Sequence, residues 1–220
     1  MWQLGQDEAV FTGSELSLSL APSDPVAGGR LAFNGAASVA DPLWSWAPVG
    51  HVAPKLSEAY TRGADLVLLY GPGEGFPFHT DAYWRCESSS DALVVSLTLS
   101  VRTHKLDTHP VFEVGSTLNA PGLTELSDGG IVGRLAAAAD GGWSLIETPY
   151  PGDMNPLPPS PGTDAEGAVG TRWRLFDLFM EKGVIRRSRI SLAITPSELT
   201  ADAALALACR LRAEPVALST

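Results

Sequence analysis

Apolar and polar positions alternate with period two across residues 91–102. Leu93, Val95, Leu97, Leu99 and Val101 fall on one set of positions, and Ser96, Thr98, Ser100 and Arg102 fall between them. Successive side chains on a strand point to opposite faces, so this pattern predicts a strand with one buried and one wet face. Such a strand belongs to an antiparallel sheet rather than to a parallel one covered on both sides. Upstream, Leu66-Val67-Leu68-Leu69-Tyr70 is a continuous apolar run that stops at Gly71-Pro72-Gly73-Glu74-Gly75. A short run bounded by breakers reads as a more central strand. Residues 82–87 supply a third strand, with Trp84 and Cys86 on one face and Tyr83, Arg85 and Glu87 on the other; Ser88-Ser89-Ser90-Asp91 is its turn. Residues 65–103 therefore read as a three-stranded meander with a Gly/Pro-rich loop at one end.

The same periodicity predicts strands over 15–20, 30–34, 110–115, 130–135, 143–147 and 184–194. Asp140-Gly141-Gly142 supplies the positive φ of a tight hairpin turn, although the alanines before it are also compatible with a short helix. Leu43-Trp44-Ser45-Trp46 is a further strand, confined by Pro42 and Pro48 to an edge or loop. The C-terminal quarter changes character. Trp173, Phe176, Phe179 and Met180 recur at helical spacing before Gly183, which predicts a helix near 172–182. Thr200 is positioned to cap a second helix over 200–213, with Ala204, Leu205, Leu207, Ala208 and Leu211 as its apolar stripe and Pro215 as its stop.

Together these elements predict a mainly β chain, an antiparallel β-sandwich with two helices in the C-terminal quarter. An open antiparallel sheet covered by those helices, an α+β arrangement, is the alternative. Residues 148–170 hold six prolines with glycines between them. Only about fifty residues follow, near the lower limit for a domain. The stretch is therefore read as a surface loop inside one domain spanning 1–220. No internal repeat is visible.

Composition narrows the function classes. A formal net charge of -10 opposes nucleic-acid binding, which depends on neutralising phosphates, and equally opposes an anionic membrane surface. No apolar run reaches the ~20 residues of a membrane span, and the N-terminal residues lack the basic and apolar regions of a secretory signal. Cys86 and Cys209 are the only cysteines. Two are too few for a disulfide framework or a zinc site, and they read as reduced thiols in a cytoplasmic protein. No cofactor motif is present: there is no phosphate-cradling glycine loop, no dinucleotide fingerprint and no nucleophile elbow.

Candidate chemistry gathers in Phe76-Pro77-Phe78-His79-Thr80-Asp81-Ala82-Tyr83-Trp84-Arg85. His79 and Asp81 have the H-x-D form of a metal-binding facial triad, for which His104 or His109 would be the third ligand. Those histidines follow too closely for that class, so the reading is no metal, with Asp81 closing a local turn. Tyr83 and Arg85 share a strand face, a pairing suited to stacking on a sugar or holding a carboxylate. Most of the six tryptophans are expected in the core, with Trp44 and Trp46 the candidates for exposure. Glu74, Asp81, Glu87, Glu113 and Glu147 are all available as paired carboxylates for glycoside chemistry, and nothing in the sequence selects two. Arg172, Arg174, Arg186, Arg187 and Arg189 form the one basic region, read as partners for the excess Asp and Glu.

Tyr60-Thr61-Arg62-Gly63-Ala64-Asp65-Leu66-Val67 with Tyr83-Trp84-Arg85, and Phe179-Met180-Glu181-Lys182-Gly183-Val184-Ile185-Arg186-Arg187, resemble an uncharacterised family of bacterial, planctomycete proteins. The resemblance implies a single intact domain and carries over no functional residue. The leading expectation is a binding or interaction module for a carbohydrate or small polar ligand, using Tyr83, Arg85, His79, Asp81 and Trp44. The alternative is a metal-dependent or carbohydrate-active hydrolase or isomerase built on His79 and Asp81. A structural subunit with an apolar contact face is the third.

Overall fold

A computed structural model describes residues 1–35, 38–88, 91–161 and 167–216. Six strands open the chain: β1 (Trp2–Leu4), β2 (Ala9–Thr12), β3 (Leu16–Leu20), β4 (Gly29–Phe33), β5 (Ala40–Leu43) and β6 (Ser45–Pro48). The central stretch forms β7 (Lys55–Arg62), β8 (Asp65–Gly71), β9 (Phe78–Ser88) and β10 (Leu93–Thr103). Then come β11 (Asp107–Thr108), β12 (Phe112–Leu118), β13 (Thr124–Ser127), β14 (Ile131–Ala137) and β15 (Ser144–Pro149). The last strands are β16 (Met154–Pro156), β17 (Ser160–Pro161), β18 (Val169–Leu175), β19 (Met180–Glu181) and β20 (Ile185–Thr195), followed by helix α1 (Ala201–Ala213).

These elements make a β-sandwich with one C-terminal helix. One sheet runs β1-β2-β3-β4-β5-β12-β18-β16, with β6 on β12 and β17 on β18; the other runs β13-β14-β15-β20-β10-β9-β8-β7. A two-stranded ribbon, β11-β19, lies apart. One apolar cluster joins the two sheets, with Leu18, Leu31, Phe112 and Trp173 from the first and Leu68, Trp84, Leu97, Leu99 and Ile190 from the second. The meander is present: Leu97 pairs with Trp84 and Leu66 with Trp84 across β10, β9 and β8. The turn expected between β9 and β10 falls partly on residues 89 and 90, outside the described residues. Gly141 takes φ 72° in the connection between β14 and β15, so the alanines before it close a strand rather than open a helix.

Helix α1 matches its sequence signals. The Thr200 hydroxyl accepts from the Ala203 N–H at 3.3 Å, Asp202 lies in the first turn and Arg210 and Arg212 in the last, complementing the helix dipole. Ala204, Leu207, Ala208 and Leu211 pack with Leu126, Val132, Leu135, Ile146 and Ala193 in a second core. The helix thus covers one end of the eight-stranded sheet from outside. No helix among the described residues is long and apolar enough to cross a membrane.

Two expectations are corrected. Residues 172–182 are not a helix. Thr171, Trp173 and Leu175 also alternate with period two, and seven register pairs to β12, from Phe112↔Leu175 to Leu118↔Val169, hold the segment as strand β18. Phe176 then turns the chain at φ 56°, and Phe179, a supposed core position, is 55% exposed. The proline-rich stretch is also less irregular than its composition suggests, because β16 and β17 both pair with β18.

Candidate functional site

Most of the residues singled out from the sequence stand on the outer face of the eight-stranded sheet. Inward positions of β9 and β10 fill the core, so the alternate positions must point away from it. On β9 these are His79, Asp81, Tyr83, Arg85 and Glu87, all partly exposed or exposed. On β10 they are Val94, Ser96, Thr98, Ser100 and Arg102. On β20 they are Arg187, Arg189, Ser191 and Ala193. Register places Arg85, Ser96 and Ser191 in one row, and Tyr83, Thr98 and Arg189 in the next.

Because α1 covers only one end of this face, a step forms where the helix stops. It encloses a cleft of about 580 Å³. Tyr83, Arg85, Ser96, Thr98, Arg187 and Arg189 form its floor. The β7–β8 hairpin tip, with Arg62 and Asp65, lines one side, and Glu214 and Pro215 beyond α1 line the other.

The cleft's ionic groups differ in function. Both Asp65 oxygens are occupied by Arg85, through Nε to Oδ1 and through Nη2 to Oδ2 at 2.9 Å, and Arg85 Nη1 lies 3.3 Å from Glu87 Oε1. These contacts raise the Arg85 pKa and fix its guanidinium across two strands. Arg189 donates to the backbone oxygens of Leu211 at 2.7 Å and Glu214 at 3.0 Å, so it ties the end of α1 to the sheet. Arg62 stands on the exposed rim, 5.9 Å above the Tyr83 ring. Arg187 Nε reaches the Ser100 hydroxyl at 3.4 Å.

Further along the same face, His79 and Asp81 project from the N-terminal part of β9. Asp81 therefore does not close a turn, as the sequence suggested; it pairs with Ser100 inside the sheet. His79 Nε2 lies 3.1 Å from His104 Nε2. Burial, then Arg102 and His104, lower the His79 pKa, against a smaller opposing effect of Asp81. His109 is elsewhere, 3.0 Å from Asp177. No group of three or more His, Cys, Asp or Glu side chains able to hold a metal is found among the described residues.

Trp44 is not at the surface. The chain adopts φ 46° there, between β5 and β6, which turns the indole into the core at 0% exposure. Its Nε1 donates to Glu147 Oε1 at 2.9 Å. Trp46 is buried too, edge-on to Tyr70 with centroids 5.2 Å apart. Pro42 lies within β5 and Pro48 ends β6, so the prolines belong to two short strands, and both tryptophans are buried.

Two of the carboxylates named from sequence have other places in the structure. Glu147 is enclosed in the core. Glu113 lies on the outer face of the other sheet, where Arg172 at 2.6 Å and Arg174 at 2.9 Å hold its carboxyl below the usual range. Those arginines, with Arg186 on Asp153 at 3.1 Å, are the ion-pair partners that the sequence implied. Sequence reasoning missed Arg62, Asp65, Ser96, Thr98 and the residues after α1 as cleft residues. Only the alternation in β10 marked Ser96 and Thr98 as surface positions; nothing local marked the rest.

No family model matches the chain, and no curated protein matches it in sequence. Solved structures do resemble its fold. A putative aldose 1-epimerase from Escherichia coli K12 has a TM-score of 0.56 at 11% identity, covering 85% of this chain and 99% of that one. A heparinase III structure has a TM-score of 0.57 at 10% identity, covering 92% of this chain. The chain spans 36% of the length of that heparinase.

Proposed function

We propose that the protein binds a carbohydrate or a similar small polar ligand in the cleft beside α1. The observation that carries this reading is the joint placement of the Tyr83 ring, the Ser96, Thr98 and Ser191 hydroxyls and the arginines on one cleft floor. A sugar presents both C–H faces and hydroxyls, so it needs an aromatic surface beside donors and acceptors. The cleft volume falls within the usual range for small-molecule sites, roughly 300–1,000 Å³. The Arg85–Asp65 pair makes part of the floor rigid before a ligand arrives, which lowers the ordering cost of binding. Both named structural neighbours carry names from carbohydrate chemistry, which supports the same class.

Isothermal titration of a panel of neutral and uronic-acid saccharides tests the reading. At least one should bind saturably, and Tyr83→Ala should weaken it about tenfold, equivalent to about 1.4 kcal/mol. A panel without binding, or binding unchanged in both Tyr83→Ala and Thr98→Val, would remove the proposal.

A further inference from the structure

His79 and His104 meet at the end of the outer face opposite α1. His79 pairs directly with Arg102, so His104, two residues further and just past β10, is its diagonal neighbour, within reach of long side chains. The two rings stand edge to face, 86° between planes, with centroids 5.0 Å apart. Their Nε2 atoms are separated by 3.1 Å.

A neutral imidazole pair at this distance shares one proton, with one ring donating and the other accepting. The same two nitrogens are also spaced to share one cation. For metal–nitrogen bonds of about 2.0–2.1 Å, a 3.1 Å edge corresponds to an N–metal–N angle of roughly 95–102°, between the octahedral and tetrahedral values. Closing such a site requires loss of the shared hydrogen bond and rotation of the rings until both lone pairs converge on the ion.

We propose that His79 and His104 form a two-imidazole site for a divalent transition ion, with water completing its coordination. Imidazole nitrogen favours zinc, nickel or copper over the oxygen-seeking magnesium and calcium. Asp81 contributes negative charge on the same face, two residues along β9; its carboxylate accepts from the Tyr83 hydroxyl at 3.5 Å and stays outside the coordination. Arg102, opposite His79, and Lys105, next to His104, oppose the ion. Two neutral ligands beside two cations give micromolar rather than nanomolar affinity. His104 also lines a hollow of about 490 Å³ with His51, Phe76, Pro72 and Pro77, so the open coordination positions adjoin a space that a small ligand can enter. A bound ion would also join β9 to the segment that follows β10. This site lies outside the residues that line the cleft and stands or falls independently of it.

Calorimetric titration of chelator-treated full-length protein with zinc and then nickel tests the site. One ion per chain should bind in the micromolar range, with affinity falling at least about tenfold in His79→Ala and in His104→Ala and unchanged in His109→Ala. Where circular dichroism shows an alanine variant to be misfolded, the size-preserving His79→Gln or His104→Gln replaces it. No saturable binding, binding that survives both substitutions, or an equal loss in His109→Ala would each overturn the proposal.

Discussion

Glu147 shows how far a single side chain can depart from its sequence reading. Its residue type and strand position leave it open to catalysis, surface pairing or burial. In the structure it is fully enclosed. Oε1 accepts from Trp44 Nε1 at 2.9 Å and from the Ser116 hydroxyl at 3.0 Å, and Oε2 accepts from Trp173 Nε1 at 2.7 Å. The buried Arg134 guanidinium stacks on Trp173, 4.7 Å from the ring centroid. Burial lowers the Arg134 pKa, and Glu147 is the largest opposing influence. Without Glu147 the two indoles and the Ser116 hydroxyl lose their acceptor, and Arg134 keeps only Glu125, at 3.6 Å, as a nearby opposite charge; breaking a buried charged cluster costs about 3–5 kcal/mol. Glu147→Ala should therefore lose about that much stability in chemical denaturation, and a loss below about 1 kcal/mol would show that the cluster is not held together by its charges. Trp44 reads from sequence as a candidate for exposure for a related reason: its partners are 72 and 103 residues away, and no local pattern reports them.

At the scale of elements, the two C-terminal segments behave differently because their signals differ in kind. Helix α1 has an N-cap, matched end charges and an apolar stripe, all of which act within the segment. Thr200→Ala removes the cap bond and should cost about 1 kcal/mol, read as a lowered melting temperature; an unchanged melting temperature would assign the helix's stability to packing alone. The 172–182 segment had only spacing in its favour. Its residues satisfied helical and strand periods at once over Trp173 and Leu175, and pairing with β12 settled the choice. The central meander was legible because its alternation is long and its breakers are strong. Strand β15 was harder to read, since every residue in it is buried: the sandwich covers one face and α1 reaches the other, so Ile146 and Glu147 are both enclosed while pointing in opposite directions.

For the whole molecule, the acidic composition conceals a local reversal. Against a net charge of -10, the cleft gathers Arg62, Arg85, Arg187 and Arg189 with only Asp65, Glu87 and Glu214. The cleft lining is thus slightly basic within an acidic chain, a local field of the opposite sign to the net charge. The expectation of one domain over 1–220 also belongs to this scale. A core cluster shared by both sheets predicts a single cooperative transition, coincident by fluorescence and circular dichroism; two separated transitions would divide the chain.

The sequence alone determined the β class, the meander, the α1 helix and the outward side of β9 on which Tyr83 and Arg85 stand. Each follows from periodicity, capping or turn chemistry within a few residues, and such local preferences hold wherever the element is placed. Only the tertiary structure decided that Trp44 is buried, that residues 172–175 end strand β18 between β12 and β16 instead of opening a helix, that His79 meets His104, and that the end of α1 makes a cleft of the Tyr83–Arg85 face. Those outcomes depend on contacts between residues far apart in the chain, where strand pairing and burial outweigh the preference of any one segment.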